Sequence, residues 1–182
     1  FRFQSEAEVW PVYFVHILAL AADLISGGPG RRWRLTRTGE QFLTLPPVLQ
    51  VWFLFAGWWF RANWLDAYQW DIFGGALPDG FNYLVASLLL EQPANQPVPF
   101  EPFADQVIQK MHLVWEDREG DQTQKIIRAT IENTVIWPLE EFGVLTTRQE
   151  KDTDAMINIQ KLASFTITDF GQALLKTIGE AG

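Results

Sequence analysis

The side chains that could carry acid–base or metal chemistry are few and far apart in the sequence. The 182 residues include 2 histidines and no cysteine, so neither a disulfide nor a thiolate metal site can form. His16 and Asp23 would lie on one face of a helix, but seven residues span about 10 Å along its axis. This distance is too large for a general base and the carboxylate that orients it, and a lone histidine on an apolar helix is usually structural.

The acidic side chains offer no catalytic pair either. Glu116-Asp117 and Glu140-Glu141 are adjacent, so on a helix their carboxylates diverge by about 100° and are expected to be solvated. His112 and Glu116 have helical spacing, but two ligands do not make a metal site. The sequence contains no Gly-x-x-x-x-Gly-Lys-Ser/Thr loop that could hold a nucleotide. We therefore predict that the protein is not an enzyme and has no catalytic residue, metal site or cofactor.

A basic cluster surrounds one tryptophan in the first half of the chain. Its members are Arg31, Arg32, Trp33, Arg34 and Arg37. Arginines beside an aromatic ring could hold a phosphate backbone or enter a minor groove. On a strand, however, Trp33 and Leu35 would face the core, whereas Arg32 and Arg34 would face solvent and pair with the excess of acid. Both interpretations stay open.

The overall charge disfavours nucleic acid as the main partner. The net charge is -8. Residues 1–91 contain six basic and eight acidic side chains, and residues 92–182 contain eight and fourteen. A negative protein repels a phosphate backbone, so nonspecific attraction is weak. DNA binding through the basic cluster is therefore the alternative function.

A tryptophan-rich apolar segment follows two prolines at positions 46–47. Residues 48–60 contain only one polar side chain, Gln50. A membrane span needs about 20 apolar residues, so we predict instead a buried central helix that begins at the prolines. Helical spacing favours core packing of the tryptophans, but two small domains have limited interior volume. Those left exposed would form an interaction surface, and the candidates are Trp52, Trp58, Trp59 and Trp64.

Turn and cap signals define the elements around the basic cluster. Residues 10–25 are apolar nearly all round, which predicts a buried helix stopped by the glycine-rich run 26–30. Residues 31–35 predict a strand that a glycine-rich hairpin leads into. Thr36 or Thr38 would cap the next helix, and Thr38 is spaced from Gln41 as in a capping box.

A matching order of elements occurs in the second half. A helix that begins near Asp121 is broken or restarted at Pro138, and Gly143 can then adopt the left-handed conformation. Residues 148–154 are charged and turn-like, residues 161–167 predict a strand, and Thr168 would cap the last helix. The pattern hydrophobic-Thr-x-x-Gly therefore occurs twice, at 35–39 and at 167–171.

The segment between the two halves is rich in proline. Prolines occur at positions 93, 97, 99 and 102, and neither a helix interior nor a central strand accepts them. Residues 92–102 are therefore predicted to be a stiff linker. The amphipathic helix that contains Phe81, Leu84, Val85 and Leu88 would close the first half before it.

Two helix–hairpin–capped-helix series resemble the winged-helix superfamily over residues 8–45 and 103–179. More narrowly, Trp33-Arg34-Leu35-Thr36 with Gly39, the prolines at 46–47 and the tryptophan-rich helix resemble accessory modules of XPB-type helicase-related proteins. They are also similar to C-terminal regions of Ri-plasmid open-reading-frame-three-like proteins. The resemblance implies DNA binding through the helix before each wing. Residues 10–25 contain no Lys or Arg, however, and the second such helix ends at Glu140-Glu141.

These observations predict a mainly α fold with small β hairpins (α+β), made of two winged-helix-like units joined by a proline-rich connection. The predicted domains are residues 1–91, the linker 92–102 and residues 103–182. The predicted function is that of a non-catalytic interaction module, a piece of a larger cytoplasmic protein. Its partner would be another protein, a missing domain of the same protein or a second copy in a homodimer, and no membrane is expected.

Overall fold

The computed structural model describes residues 10–28, 31–67, 77–113, 121–151 and 160–181. The chain divides into two compact units, Phe1–Trp70 and Asp71–Gly182. Both are mainly helical, and each contains one small antiparallel sheet, of two strands in unit 1 and three in unit 2. The predicted α+β class is confirmed at this level.

Unit 1 is a short hairpin with helices before and after it. Its elements are α1 (Trp10–Ala21), β1 (Ile25–Gly28), β2 (Arg31–Leu35), α2 (Arg37–Phe42), α3 (Pro47–Arg61) and a final 3-10 turn (Trp64–Ala67). α3 begins at the second proline, as predicted, because a proline at the first helical position lacks only an N–H that would have no intrahelical partner. α1 and α3 pack closely where Gly57 meets Ala22, since a Cβ on Gly57 would lie 2.9 Å from the Ala22 Cα.

α1 ends earlier than the glycine run predicts. Asp23, two residues after the last residue of α1, takes the left-handed conformation (φ 54°). The Asp23 N–H then donates to the Leu20 carbonyl (2.9 Å) and the Leu24 N–H to the Ala19 carbonyl (2.8 Å), which satisfies the last turn. The glycines lie in the hairpin instead, where Gly27 leaves room for the Trp33 ring.

Unit 2 is built around a three-stranded sheet. Its elements are α4 (Phe81–Leu90), β3 (Pro97–Pro99), α5 (Phe100–Met111), α6 (Asp121–Ile131), α7 (Trp137–Glu141), β4 (Leu145–Lys151), β5 (Gln160–Ile167) and α8 (Asp169–Ala181). The strand order is β3-β5-β4, and both pairings are antiparallel. α5 covers the sheet, and the rings of Phe103 and Phe165 meet edge to face at 5.0 Å. α4 packs against α8 and α5.

The division between the two compact units does not coincide with the predicted domain limits at 91 and 102. α4 belongs to unit 2, and the predicted linker supplies β3 and the start of α5. β3 tolerates Pro97 and Pro99 because it is an edge strand that pairs only with β5, so a missing N–H on its outer side breaks no ladder bond. Val98, between the prolines, points inward and is buried.

The α-helical geometry restarts at Pro138, as predicted, because Pro138 lies in the first turn of α7. α6 passes into a π-helical segment, Glu132–Ile136, and then into α7. The Trp137 N–H donates to the Glu132 carbonyl, five residues back, so the turn is wider than an α turn. A wider turn before Pro138 accommodates the ring that would otherwise clash with the preceding turn.

Candidate interaction surface

The same local geometry places the hairpin in each unit. Thr36 Oγ1 donates to the carbonyls of Asp23 (2.6 Å) and Leu24 (3.1 Å) and accepts from the Gly39 N–H (2.9 Å). In unit 2, Thr168 Oγ1 donates to the carbonyls of Gly143 (2.8 Å) and Val144 (3.1 Å) and accepts from the Gly171 N–H (2.9 Å). Each threonine thus joins the end of one helix to the start of the next across the base of a hairpin.

The N-cap of α2 is Thr36, so the alternative cap at Thr38 and its capping box with Gln41 are wrong. The cap at Thr168 is confirmed. The helix ends before the hairpins also match, because Asp23 and Gly143 both have positive φ, of 54° and 72°. The repeated pattern seen in the sequence is therefore a repeated structure.

The basic cluster lies on β2 and at the start of α2. Arg32, Arg34 and Arg37 are exposed, and none of them forms an ion pair with another described residue. The expected pairing with excess acid is therefore not seen in the described part of the chain. The side chain of Arg31 lies outside the described set.

Trp33 and Leu35 differ from their predicted placement in the core. Trp33 is 43% exposed and Leu35 is 48% exposed. The Trp33 ring meets the His16 ring of α1 edge on, with centroids 4.5 Å apart. Trp33 therefore lies on the side of β2 that faces α1. This agrees with the prediction that side chains alternate along the strand, with Trp33 on the inward face. The cover over this face is incomplete.

Three of the four tryptophans assigned to the interaction surface are in the interior of unit 1. Trp58, Trp59 and Trp64 are buried, whereas Trp52 is 37% exposed. Trp58 and Trp64 stack with centroids 4.4 Å apart, and the Trp64 indole N–H donates to the Trp58 carbonyl (3.1 Å). The large rings fill the interior because α3 and the following 3-10 turn bring them together. Only Trp52 remains a candidate surface residue.

α3 is not buried along its whole length, contrary to the prediction. Val48, Val51 and Trp52 continue, at positions i, i+3 and i+4, the stripe that Phe55 and Trp59 form in the interior. The stripe is exposed in its N-terminal half, where Val48 is 70% exposed, and fully buried in its C-terminal half. We call Val48, Leu49, Val51 and Trp52 the α3 patch.

Exposed apolar side chains are concentrated in unit 1. Of the thirteen large exposed apolar residues in the described part of the chain, eleven lie in unit 1 and two, Tyr83 and Phe170, in unit 2. α1 contains no charged side chain, and α3 contains only Arg61. The exposed sides of α1 and α3 are therefore far more apolar than the solvent-facing side of a typical surface helix.

Burial shifts the pKa of several titratable groups in the described part of the chain. Burial raises the pKa of Glu132 against the opposing effect of a hydrogen bond from Trp137, and it raises the pKa of Asp66. Burial and the nearby Asp66 carboxylate raise the pKa of Tyr13. Within the described residues, no group of three or more acidic or histidine side chains is arranged to hold a metal ion.

The other polar side chains noted in the sequence have local roles where they are described. His112 ends α5 in the left-handed conformation, and its proposed neighbour Glu116 lies outside the described residues, as does Asp117. Glu140 is not simply solvated, because its carboxylate accepts hydrogen bonds from the Thr147 N–H (2.8 Å) and hydroxyl (2.7 Å). It ties α7 to β4.

None of the helices in the described ranges has both the length and the apolar character required to cross a bilayer. No protein-family model matches the chain, and no curated protein or solved structure matches it either. Evidence on function therefore comes from the surfaces of the two units.

Proposed function

We propose that the protein is a non-catalytic interaction module whose α3 patch binds another protein surface. The observation that carries the proposal is the stripe on α3 that is covered at one end and open at the other. Contiguous apolar surface of this kind marks protein contacts, and an amphipathic helix face is a common form of it. A charged nucleic acid would gain nothing from Val48 or Val51.

The architecture supports placing this module among winged-helix domains. Unit 2 has the order helix, strand, three helices, hairpin and helix, with its first strand beside its last. Unit 1 shares the helix, hairpin and capped helix. Such domains present helix faces and hairpins around a small rigid core. The exposed arginines on β2 are consistent with DNA association as the alternative.

The α3 patch can be tested by site-specific photocross-linking in the cells that make the protein. A benzophenone side chain at Val48 is expected to give a discrete cross-linked product, and Leu49→Glu should reduce that product several-fold by placing a charge in the contact. The matched control is the same probe at Tyr83, which is 45% exposed on α4 of unit 2.

The purified protein separates the classes of partner. Cross-linking from Val48 in the purified protein identifies a second copy, and cross-linking only in cells identifies another protein. Absence of a product, or the same products from Val48 and Tyr83, would contradict the proposed role of α3.

A further inference from the structure

We propose that the open edge of β2 accepts a third strand from another polypeptide, an extended segment in which acidic and apolar residues alternate. This proposal rests on the protein being an interaction module, but it concerns a surface other than the α3 patch. It follows from comparing the two hairpins, because the described residues include a third strand in unit 2 but not in unit 1.

The hairpins of the two units have the same register at their base. Ile25 pairs with Leu35 and Ser26 with Arg34 in unit 1. In unit 2, Leu145 pairs with Ile167 and Thr146 with Thr166. Because the capping threonine follows Leu35 in one unit and Ile167 in the other, β2 corresponds to β5, and Trp33 corresponds to Phe165.

In unit 2 the outer edge of β5 is covered. β3 pairs along it, with Val98 opposite Phe165, and Phe103 of α5 packs on the same ring. Phe165 and Ile167 are consequently 1% and 2% exposed. The cover has two parts, a strand at the edge and an apolar side chain over the face.

In unit 1 the corresponding cover is missing from the described residues. Its sheet has two strands, so within the described ranges no strand pairs with the outer edge of β2. Trp33 and Leu35 remain about half exposed as a result. An open edge beside exposed apolar side chains is the arrangement to which an extended peptide adds by main-chain hydrogen bonds.

The side chains of β2 specify what the added strand should contain. Side chains opposite one another on neighbouring strands interact on the same face. Residues facing Trp33 and Leu35 would therefore be apolar, as Val98 is in unit 2. Residues facing Arg32 and Arg34 would be acidic, because both arginines are exposed without an acidic partner among the described residues. The two requirements alternate along the strand.

The test uses the full chain labelled with ¹⁵N and a synthetic peptide of alternating Glu and Val. Saturable shifts are expected for the amides of residues 32–35, together with changes at His16, and added salt should weaken binding. A peptide of alternating Lys and Val, with the charge reversed, is the control and should not bind. Methylating alternate peptide nitrogens removes the main-chain donors and should abolish binding if a strand is added.

Charge reversal of the protein gives the sharpest outcome. Arg32→Glu together with Arg34→Glu should weaken binding of the Glu-Val peptide roughly tenfold and allow the Lys-Val peptide to bind, because both positions are solvent-facing. Unchanged preference, or no saturable shift in β2, would overturn the proposal. Saturable β2 shifts with duplex DNA but not with the acidic peptide would also overturn it, in favour of nucleic-acid binding.

The two proposals fail separately. Leu49→Glu in the α3 patch should leave peptide binding at β2 unchanged, and the charge reversal on β2 should leave cross-linking from Val48 unchanged. Loss of peptide binding with intact cross-linking would remove only the strand addition.

Discussion

At the residue scale, the two repeated glycines are fixed by a close backbone contact. Gly39 and Gly171 each lie at the start of a helix whose threonine cap bonds back to the preceding helix end. A Cβ on Gly39 would overlap the Leu24 carbonyl oxygen, and a Cβ on Gly171 would overlap that of Val144. Glycine is needed here for space, because the cap brings the two segments of backbone together.

Replacement of either glycine by alanine should therefore destabilise the protein. We expect Gly39→Ala and Gly171→Ala each to lower the free energy of unfolding by about 1–3 kcal/mol, the usual cost of forcing an added carbon into a packed site. Urea unfolding followed by circular dichroism measures the change.

The control is a glycine with space around it. Gly179 lies within α8, and a Cβ there would have its nearest neighbour 3.9 Å away, at Leu90. Gly179→Ala should raise stability by about 0.5–1 kcal/mol because alanine has the higher helix propensity. If Gly39→Ala were neutral or stabilising, the close contact would be disproved.

Helix caps and helix ends could be predicted from the sequence where a local residue pattern determines them. A threonine at the start of a helix is an N-cap signal, and it predicts the cap correctly at Thr168 but leaves Thr36 and Thr38 as alternatives in unit 1. The end of α1 was missed because Asp23 supplies the left-handed conformation that the pattern assigns to glycine. Aspartate can adopt the left-handed conformation at a helix end. It does so too rarely for its presence in a sequence to predict that end.

At the element scale, the π-helical segment before Pro138 carries a partly buried acid. Glu132 lies at its first position, and burial raises the pKa of its carboxyl while the Trp137 indole hydrogen bond opposes the shift. The folded protein therefore holds the Glu132 proton more tightly than the unfolded chain does. Stability contributed by this group is present at low pH and is lost as pH rises through the raised pKa.

Substitution of this acid by its neutral analogue should show the effect. Glu132→Gln keeps an oxygen that can accept from Trp137 but removes the cost of burying a charge. The melting temperature of the variant should exceed that of the original protein at pH 7. The difference should vanish as pH falls below the ordinary value of 4.5 for a glutamic acid.

The control for this experiment is an exposed acid on a neighbouring element. Glu141→Gln, at the exposed end of α7, should not raise the melting temperature at pH 7, because its side chain is in solvent. A Glu132→Gln variant less stable than the original protein at pH 7 would show that the charged form is favoured by its surroundings.

Element types were predictable from the sequence, but which of their faces are covered was not. The sequence pattern predicted α1, α3, β2 and β5, but residues 148–151 of β4 were predicted as a turn. The same pattern implied burial all round for α3 and a core position for Trp33. Burial depends on partners distant in the chain, and Phe165 and Trp33 show the difference, since only the former has a strand and a helix over it. β3 was missed because its prolines usually exclude a strand.

At the scale of the whole molecule, the chain consists of two compact units with a limit near residue 70. The predicted limit is residue 91, because the amphipathic helix α4 ends at Leu90, just before the proline-rich segment. The packing partner of α4, α8, begins about 80 residues later, at Asp169. Packing between elements so far apart in the chain has no local signature in the sequence. The predicted limit therefore followed the composition and fell beside the nearest prolines.

Two compact units should also open independently, and the repeated glycines allow this to be tested with a matched pair of variants. Gly39→Ala weakens the junction of unit 1, so amide hydrogen exchange should accelerate in α1, β2 and α3 but not in β5 or α8. Gly171→Ala should produce the opposite distribution, because its clash lies with Val144 in unit 2. Native-state exchange measured by NMR distinguishes these patterns. If both variants accelerated exchange equally throughout the chain, unfolding would be one cooperative event, and a partner bound to unit 1 would then stabilise the whole molecule.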